Sequence, residues 1–199
     1  MKNRAVFLDR DGVINKLVYH SDMGVIDTPF TEKQFNLLPE AGKGIKEINK
    51  LGLKAILISN QPGLAKGHYT LDTFQRIEKK MFKELEKSKA FLDATYYCLH
   101  HPKGGGKYKK KCNCRKPKPG LLKKAEIELN LDLKNSFLIG DSLTDIQAGQ
   151  KVGLKTILLG NHKCDLCRFL EEEKVKPDFI VPDLLDAVEI IKKNIGGEK

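Results

Sequence analysis

Asp9 and Asp11 stand two residues apart, directly after the apolar run 5–8. Carboxylates at the end of a strand can divide the work of phosphoryl transfer. One attacks phosphorus to give an acyl-phosphate; the other protonates the leaving alcohol and then activates water. Nucleophile and phosphate are both anionic, so the chemistry asks for a hard cation between them, and Mg²⁺ prefers such oxygen ligands. Two further polar clusters, Ser59-Asn60-Gln61 and Gly140-Asp141-Ser142, also follow apolar runs. Asp9 and Asp141 are the natural pair for the cation. The Ser59 hydroxyl and the Asn60 amide can donate to phosphate oxygens. Lys116 or Arg115 would face the other side of the phosphoryl group as it becomes planar. Gly12 permits the tight turn that follows the carboxylates.

A different chemistry is written around residue 100. Cys98 and His100, separated by one residue, are followed after eleven residues by Cys112 and Cys114. Four soft or borderline ligands in two tight pairs describe a structural Zn²⁺ site with no open position. His101 competes with His100 for the third place, and the alternation with Cys98 favours His100. The metal would tie a loop rich in glycine and lysine and fix Arg115 and Lys116 just beyond it. The remaining cysteines, Cys164 and Cys167 with His162 nearby, lack a visible fourth ligand and read as thiols.

These residues need elements to bring them together. Short β-rich runs alternate with amphipathic stretches, the pattern of a parallel sheet covered by helices on both faces. Strands are expected at 5–8, 54–58, 94–99, 136–140, 155–159 and 179–181. Helices are expected at 41–51, from Thr70 onward with Phe74, Ile77, Met81, Phe82 and Leu85 inward, from Gly120 to Leu129, and at 143–152 and 183–195. No repeat or linker divides the chain, so residues 1–199 read as one domain. In such α/β sheets ligands bind beyond the carboxyl ends of the strands, where the three polar clusters would meet. His68 and Tyr69, in the loop after Ser59-Asn60-Gln61, are candidates to touch substrate, with surface placement the favoured reading.

The chain has 199 residues, 40% hydrophobic and 31% charged, the proportions of an ordinary globular protein. No apolar run reaches the ~20 residues a membrane-spanning helix needs, and the N-terminus lacks a signal-peptide core, so the expected place is the cytoplasm. The formal charge is +10, with Lys103, Lys107, Lys109, Lys110, Lys111, Arg115, Lys116 and Lys118 crowded together. Such a patch attracts anions. A nucleic-acid role, as binder or 3′-phosphatase, is a rival reading, disfavoured because Tyr108 alone interleaves the run as a stacking platform.

The segments Phe7-Leu8-Asp9-Arg10-Asp11-Gly12-Val13-Ile14-Asn15, Ser59-Asn60-Gln61, Arg115-Lys116-Pro117 and Ile139-Gly140-Asp141-Ser142-Leu143-Thr144-Asp145 resemble, in order, the four motifs of the haloacid dehalogenase-like phosphatases. The resemblance spans residues 5–160 and implies a three-layer Rossmann-like fold. It implies Asp9 as nucleophile, Asp11 as acid/base, Lys116 steadying the phosphoryl group, and Mg²⁺ held by Asp9, Asp141 and the Asp11 carbonyl. Asp145 would lie beside the metal or join it. Tyr97-Cys98-Leu99-His100-His101-Pro102 with residues 112–120 is similar to the D-glycero-D-manno-heptose 1,7-bisphosphate 7-phosphatases, whose nearest rivals are the histidinol-phosphate phosphatases. In the segment 60–67, Lys66 takes a place usually held by Arg. Asn60, Gln61, Lys66 and Arg115 are then the expected substrate contacts. The motif spacing leaves no room for a large cap domain, which suits a monomer acting on a compact sugar phosphate, as in the making of lipopolysaccharide precursors. Residues 17–20 lack the Asp-His-Gly-Tyr-like segment of the heptose enzymes, and Ser142 stands where they often place Lys.

Overall fold

The computed structural model describes residues 2–160 and 176–196. Its centre is β1 (Ala5–Leu8), four residues all fully buried. The strand has two inward faces because its side chains alternate. Val6 and Leu8 join a core with α1 (Ala41–Lys50), α3 (Leu71–Lys87) and α6 (Leu184–Gly196). Ala5 and Phe7 join a second core with α4 (Gly120–Leu129) and α5 (Leu143–Gln150). The result is three layers, helices on both faces of a sheet.

The sheet runs β5-β4-β1-β6-β7-β8, every neighbouring pair parallel. β4 is Lys54–Asn60, β5 Ala94–Cys98, β6 Phe137–Gly140, β7 Lys155–Leu159 and β8 Phe179–Val181. The chain crosses from β1 to β4 on one side and later returns to β6 on the other. This reversal opens a crevice at the carboxyl ends of β4, β1 and β6. The Asp9 N–H donates to the Ile139 carbonyl at 3.0 Å, carrying the ladder one residue past β1.

Several expectations needed correction. β4 runs two residues beyond 58, and Asn60 pairs with Cys98 inside the sheet. Phe82 is 40% exposed, because the buried stripe of α3 follows Phe74, Ile77, Met81 and Leu85 and leaves its neighbour off the face. The stretch between residues 16 and 38, to which the sequence assigned no strand or helix, is structured. It holds an antiparallel hairpin, β2 (Val18–His20) and β3 (Val25–Asp27), and a short 3₁₀ turn, Glu32–Gln34. A single helical turn, α2 (Gly63–Lys66), follows β4 and ends at Gly67 with φ +77°. No helix among the described residues is long and apolar enough to cross a membrane.

Helix α1 lies close to α6 because Gly44 has no side chain; a Cβ there would sit 2.5 Å from the Leu184 Cγ. Ile45, next to it, is fully buried against the sheet. Ile45→Ala should therefore cost about 2–5 kcal/mol in denaturant unfolding. A loss under about 1 kcal/mol would show that this helix does not carry the core.

Candidate active site

The first fixed point is Lys116, 3% exposed. Its ammonium donates to the Ile58 carbonyl at 3.0 Å and forms ion pairs with Asp9 Oδ1 at 2.9 Å and Asp145 Oδ1 at 2.5 Å. Burial works against its charge, but Asp145 and Asp9 outweigh burial and hold its pKa above the ordinary lysine value. The backbone of Lys116 is clamped at both ends by Asn60. Asn60 Oδ1 accepts from the Lys116 N–H at 3.0 Å, and Asn60 Nδ2 donates to the Lys116 carbonyl at 3.1 Å. The Asn60 amide, expected to reach phosphate, is thus committed to placing the lysine.

Around that cation stand three carboxylates. One oxygen from each of Asp9, Asp141 and Asp145 lies within 4.8 Å of the others. Burial, then repulsion from Asp145 and Asp11, pushes Asp9 up to about 6 despite Lys116. Burial, then Asp9 and Asp145, pushes Asp141 up to about 8. One lysine does not balance three acids, and an all-carboxylate donor set fits a hard divalent cation. Asp145 has both oxygens engaged: Oδ1 on Lys116, and Oδ2 accepting from Ser142 Oγ at 2.6 Å in the cap of α5. Ser142 is likewise spent on that cap. Gly12 is required twice over. Its φ is +77°, and a Cβ would sit 2.0 Å from Asp141 Oδ2.

Asp11 points into a cage. Oδ1 accepts from Arg10 Nη2 at 3.1 Å, Asn15 Nδ2 at 2.9 Å and Thr28 Oγ1 at 2.9 Å. Oδ2 accepts from Gln61 Nε2 at 2.5 Å and from Arg10 Nη2 at 3.2 Å. Arg10 also donates to Thr28 Oγ1 and to Gln61 Oε1. Arg10, Asn15 and Thr28 were given no role in the sequence reading. The signal was weak: an arginine between two carboxylates reads by default as a surface charge, yet Arg10 is 1% exposed. Tyr69, read as surface, is buried, and its hydroxyl donates to Gln61 at 2.9 Å. Gln61 itself is fully buried, so its side chain does not face the cleft as a substrate contact would. Ser59 Oγ accepts from Gln61 at 3.0 Å, which leaves the hydroxyl proton free to donate.

The second cluster joins Cys98, His100, Cys112 and Cys114. Cys98 Sγ lies 3.5 Å from Cys112 Sγ and 3.2 Å from Cys114 Sγ; His100 Nδ1 lies 3.3 Å from Cys114 Sγ. These exceed a disulfide bond and approach the ~3.8 Å edge of a tetrahedron built on ~2.3 Å metal–sulfur bonds. The donor set could therefore bind a metal ion. His101 faces elsewhere. Its Nδ1 accepts from the Lys103 N–H at 3.1 Å, and burial, Arg115, Lys66 and Lys103 all depress its pKa. The choice between the two histidines falls to His100. Arg115 has a buried Nη1 without a partner among the described residues. The loop rests on α2: Gly105 N–H donates to the Ala65 carbonyl at 2.6 Å, and a Cβ on Gly104 would sit 2.6 Å from Ala65 Cβ. His162, Cys164 and Cys167 lie outside the described residues.

The HAD-hydrolase-like family model matches residues 113–187. The D-glycero-beta-D-manno-heptose-1,7-bisphosphate 7-phosphatase of Haemophilus ducreyi is 35% identical over 190 residues, covering 94% of this chain and 98% of that protein. The D-glycero-alpha-D-manno-heptose-1,7-bisphosphate 7-phosphatase of Burkholderia mallei is 39% identical over 160 residues, 80% of each chain. Among solved structures, the D,D-heptose 1,7-bisphosphate phosphatase of B. bronchiseptica, complexed with magnesium and phosphate, superposes with a TM-score of 0.78 at 26% identity, covering 96% of this chain and 98% of that one. A phosphoric monoester hydrolase by this kinship, the chain belongs to the haloacid dehalogenase-like phosphatases, and within them to the family of the D-glycero-D-manno-heptose 1,7-bisphosphate 7-phosphatases.

Proposed function

We propose that the protein removes one phosphate from a sugar bisphosphate through an aspartyl-phosphate on Asp9, with a D-glycero-D-manno-heptose 1,7-bisphosphate as substrate and its 7-phosphate as the group released. The observation that carries this reading is the buried Lys116 set between Asp9 and Asp145, with Asp141 alongside. Asp9 attacks phosphorus. Lys116 stands against the phosphoryl group while its charge spreads over the equatorial oxygens, and Ser59 donates its hydroxyl to one of them. Asp11 gives its proton to the leaving sugar oxygen, then takes a proton from the water that opens the aspartyl-phosphate. Mg²⁺, held by Asp9, Asp141 and the Asp11 carbonyl, would offset the charge shared by carboxylates and phosphate. Asp145 serves by holding Lys116 and the start of α5.

Arg115, Lys66 and Lys103 are cations near enough to His101 to depress its pKa, and Arg115 Nη1 is buried without a partner among the described residues. These cations suit the second phosphate of the substrate, so that Lys66 and Arg115 select a bisphosphate over a monophosphate. Zn²⁺ at Cys98, His100, Cys112 and Cys114 would hold this loop, with four protein ligands and no chemistry of its own. The enzyme works as a cytoplasmic monomer on this reading. Both anomers occur in the relatives' names, and the choice between them falls to the loops around Phe30 and Arg115.

The direct test is phosphate release from both anomers of heptose 1,7-bisphosphate, histidinol phosphate and fructose 1,6-bisphosphate. One heptose anomer should be fastest, and Asp9→Asn should lose more than about 10⁴-fold without unfolding. A faster histidinol phosphate would overturn the substrate, and an active Asp9→Asn the mechanism.

Cation binding has a pH signature. Asp9 and Asp141 are raised above unfolded carboxylates, so their protonated forms favour the fold. That stabilisation is complete below about pH 4 and is lost as pH rises through about 6 and about 8. Mg²⁺ needs the ionised forms, so it should raise the melting temperature by several degrees more at pH 8 than at pH 5. Equal gains at both pH values would contradict binding at these carboxylates.

Cys112→Ser should lose its stoichiometric zinc by atomic absorption and lower kcat/KM about tenfold or more through misplacement of Arg115 and Lys116. Unchanged zinc and activity would refute the loop-fixing role.

A further inference from the structure

Gln61 has every polar atom of its side chain in use, and all of its partners lie inside the protein. Nε2 donates to Asp11 Oδ2 at 2.5 Å and to Ser59 Oγ at 3.0 Å. Oε1 accepts from Arg10 Nη2 at 2.7 Å and from the Tyr69 hydroxyl at 2.9 Å. The orientation of the amide is fixed by chemistry. Arginine only donates, so the atom facing Arg10 is the oxygen, and the nitrogen faces the carboxylate. Tyr69 is held in turn by its ring. It stacks on Phe74 at 6.5 Å and lies 6.1 Å from Phe30. It reaches Gln61 past Gly63, where a Cβ would sit 2.2 Å from Tyr69 Cε1. Phe30 is itself sandwiched between His20 at 3.7 Å and His68 at 4.5 Å.

We infer that Gln61 is a positioning residue that fixes Asp11 for proton delivery to the leaving oxygen and sets it in register with the Ser59 hydroxyl. The inference rests on the reading of Asp11 as the acid/base. One amide touches both groups, so the distance between proton donor and phosphate-binding hydroxyl is set by a single rigid plane. As the Asp9–phosphorus bond forms and the bond from phosphorus to the sugar oxygen breaks, that oxygen takes the Asp11 proton. The carboxyl must therefore stand within hydrogen-bond reach of it. Arg10 and Tyr69, the two partners of Gln61 Oε1, hold that reach without touching substrate. Tyr69, Phe30 and Gly63 act one step further back, as packing behind the amide.

A leaving group that needs no proton separates positioning from general damage. In the Mg²⁺-loaded full-length enzyme, rapid mixing follows formation of the aspartyl-phosphate from two substrates. One is the sugar phosphate that wins the phosphate-release comparison; the other is p-nitrophenyl phosphate, whose phenolate departs unprotonated. Gln61→Met, close in volume, should slow the step about 10²-fold for the sugar phosphate and under about 3-fold for p-nitrophenyl phosphate. Tyr69→Phe removes one bond behind the amide and should give the same selectivity, about 3–10-fold, even if Gln61→Met does not fold. Equal losses on both substrates, or no loss on either, would overturn the proposal. Asp11→Asn is the control for the reading beneath it. If that variant keeps its rate on the sugar phosphate, the acid/base assignment itself fails, whatever Gln61 does.

Discussion

A single buried ammonium organises this site. Lys116 sits among the Asp9 and Asp145 carboxylates and the Ile58 carbonyl, and each contact serves two ends. Charge buried without partners costs several kcal/mol, so the lysine requires the two acids and the acids require the lysine. The triangle joins three distant parts of the chain: β1, the end of β4, and α5. Everything that fixes those parts fixes the cation, from the Asn60 clamp on its backbone to the Ser142 cap on Asp145. Burial first, and then the neighbouring acids, raise Asp9 and Asp141, the two carboxylates beside this lysine. A phosphatase needs this tension: an electron-rich nucleophile held beside a site that is completed only by a metal and a phosphate.

The carboxyl edge could be read from the sequence because its physics is local. Short apolar runs that alternate with helical stretches read as buried parallel strands, and the polar residues directly after them then lie at the sheet edge. Asp9, Asp11, Ser59, Lys116 and Asp141 all arrive there. The errors arose one or two residues further along. Asn60 and Gln61 looked like free loop donors, but the ladder continues through them: Asn60 pairs with Cys98, and the Gln61 N–H donates to the Cys98 carbonyl at 2.8 Å. Their side chains are thereby turned inward, toward Lys116 and Asp11. No propensity argument shows where a ladder stops. The hairpin β2–β3 escaped for the opposite reason. Its strands have three residues each, and Tyr19 and Ile26 are 66% and 68% exposed, so the alternation that marks a half-buried strand is absent.

Arg10 shows a third kind of blindness. Its neighbours in sequence are carboxylates, which suggest solvent, whereas its neighbours in space are Thr28 and Gln61. Its burial depends on the loop 16–38 folding back over β1, a tertiary event that no window of sequence contains. The same fold-back supplies Thr28 to Asp11 and stacks Phe30 between two histidines. The loop, with Asn15 just before it, thus surrounds the Asp11 carboxylate with fixed donors in place of water.

The charge of the chain completes the argument. Residues 94–125 contain ten Lys and Arg and no Asp or Glu, so the whole net charge of +10 resides there and the remainder is balanced. A loop with that repulsion, three successive glycines and little besides Tyr108 to bury between His100 and Cys112 cannot build a core of its own. It must be closed by stronger bonds, and the Cys98, His100, Cys112, Cys114 cluster lies where closure does most. Cys98 ends β5 inside the sheet, while Cys114 is two residues before Lys116. A metal bridging them would tie Lys116 directly to the sheet across the intervening loop. The lysines outside the cluster place positive charge beside the carboxylates, a field that attracts anions. Where the four side chains fall thus decides that Lys116 is tied to the sheet while the other lysines of the loop are not.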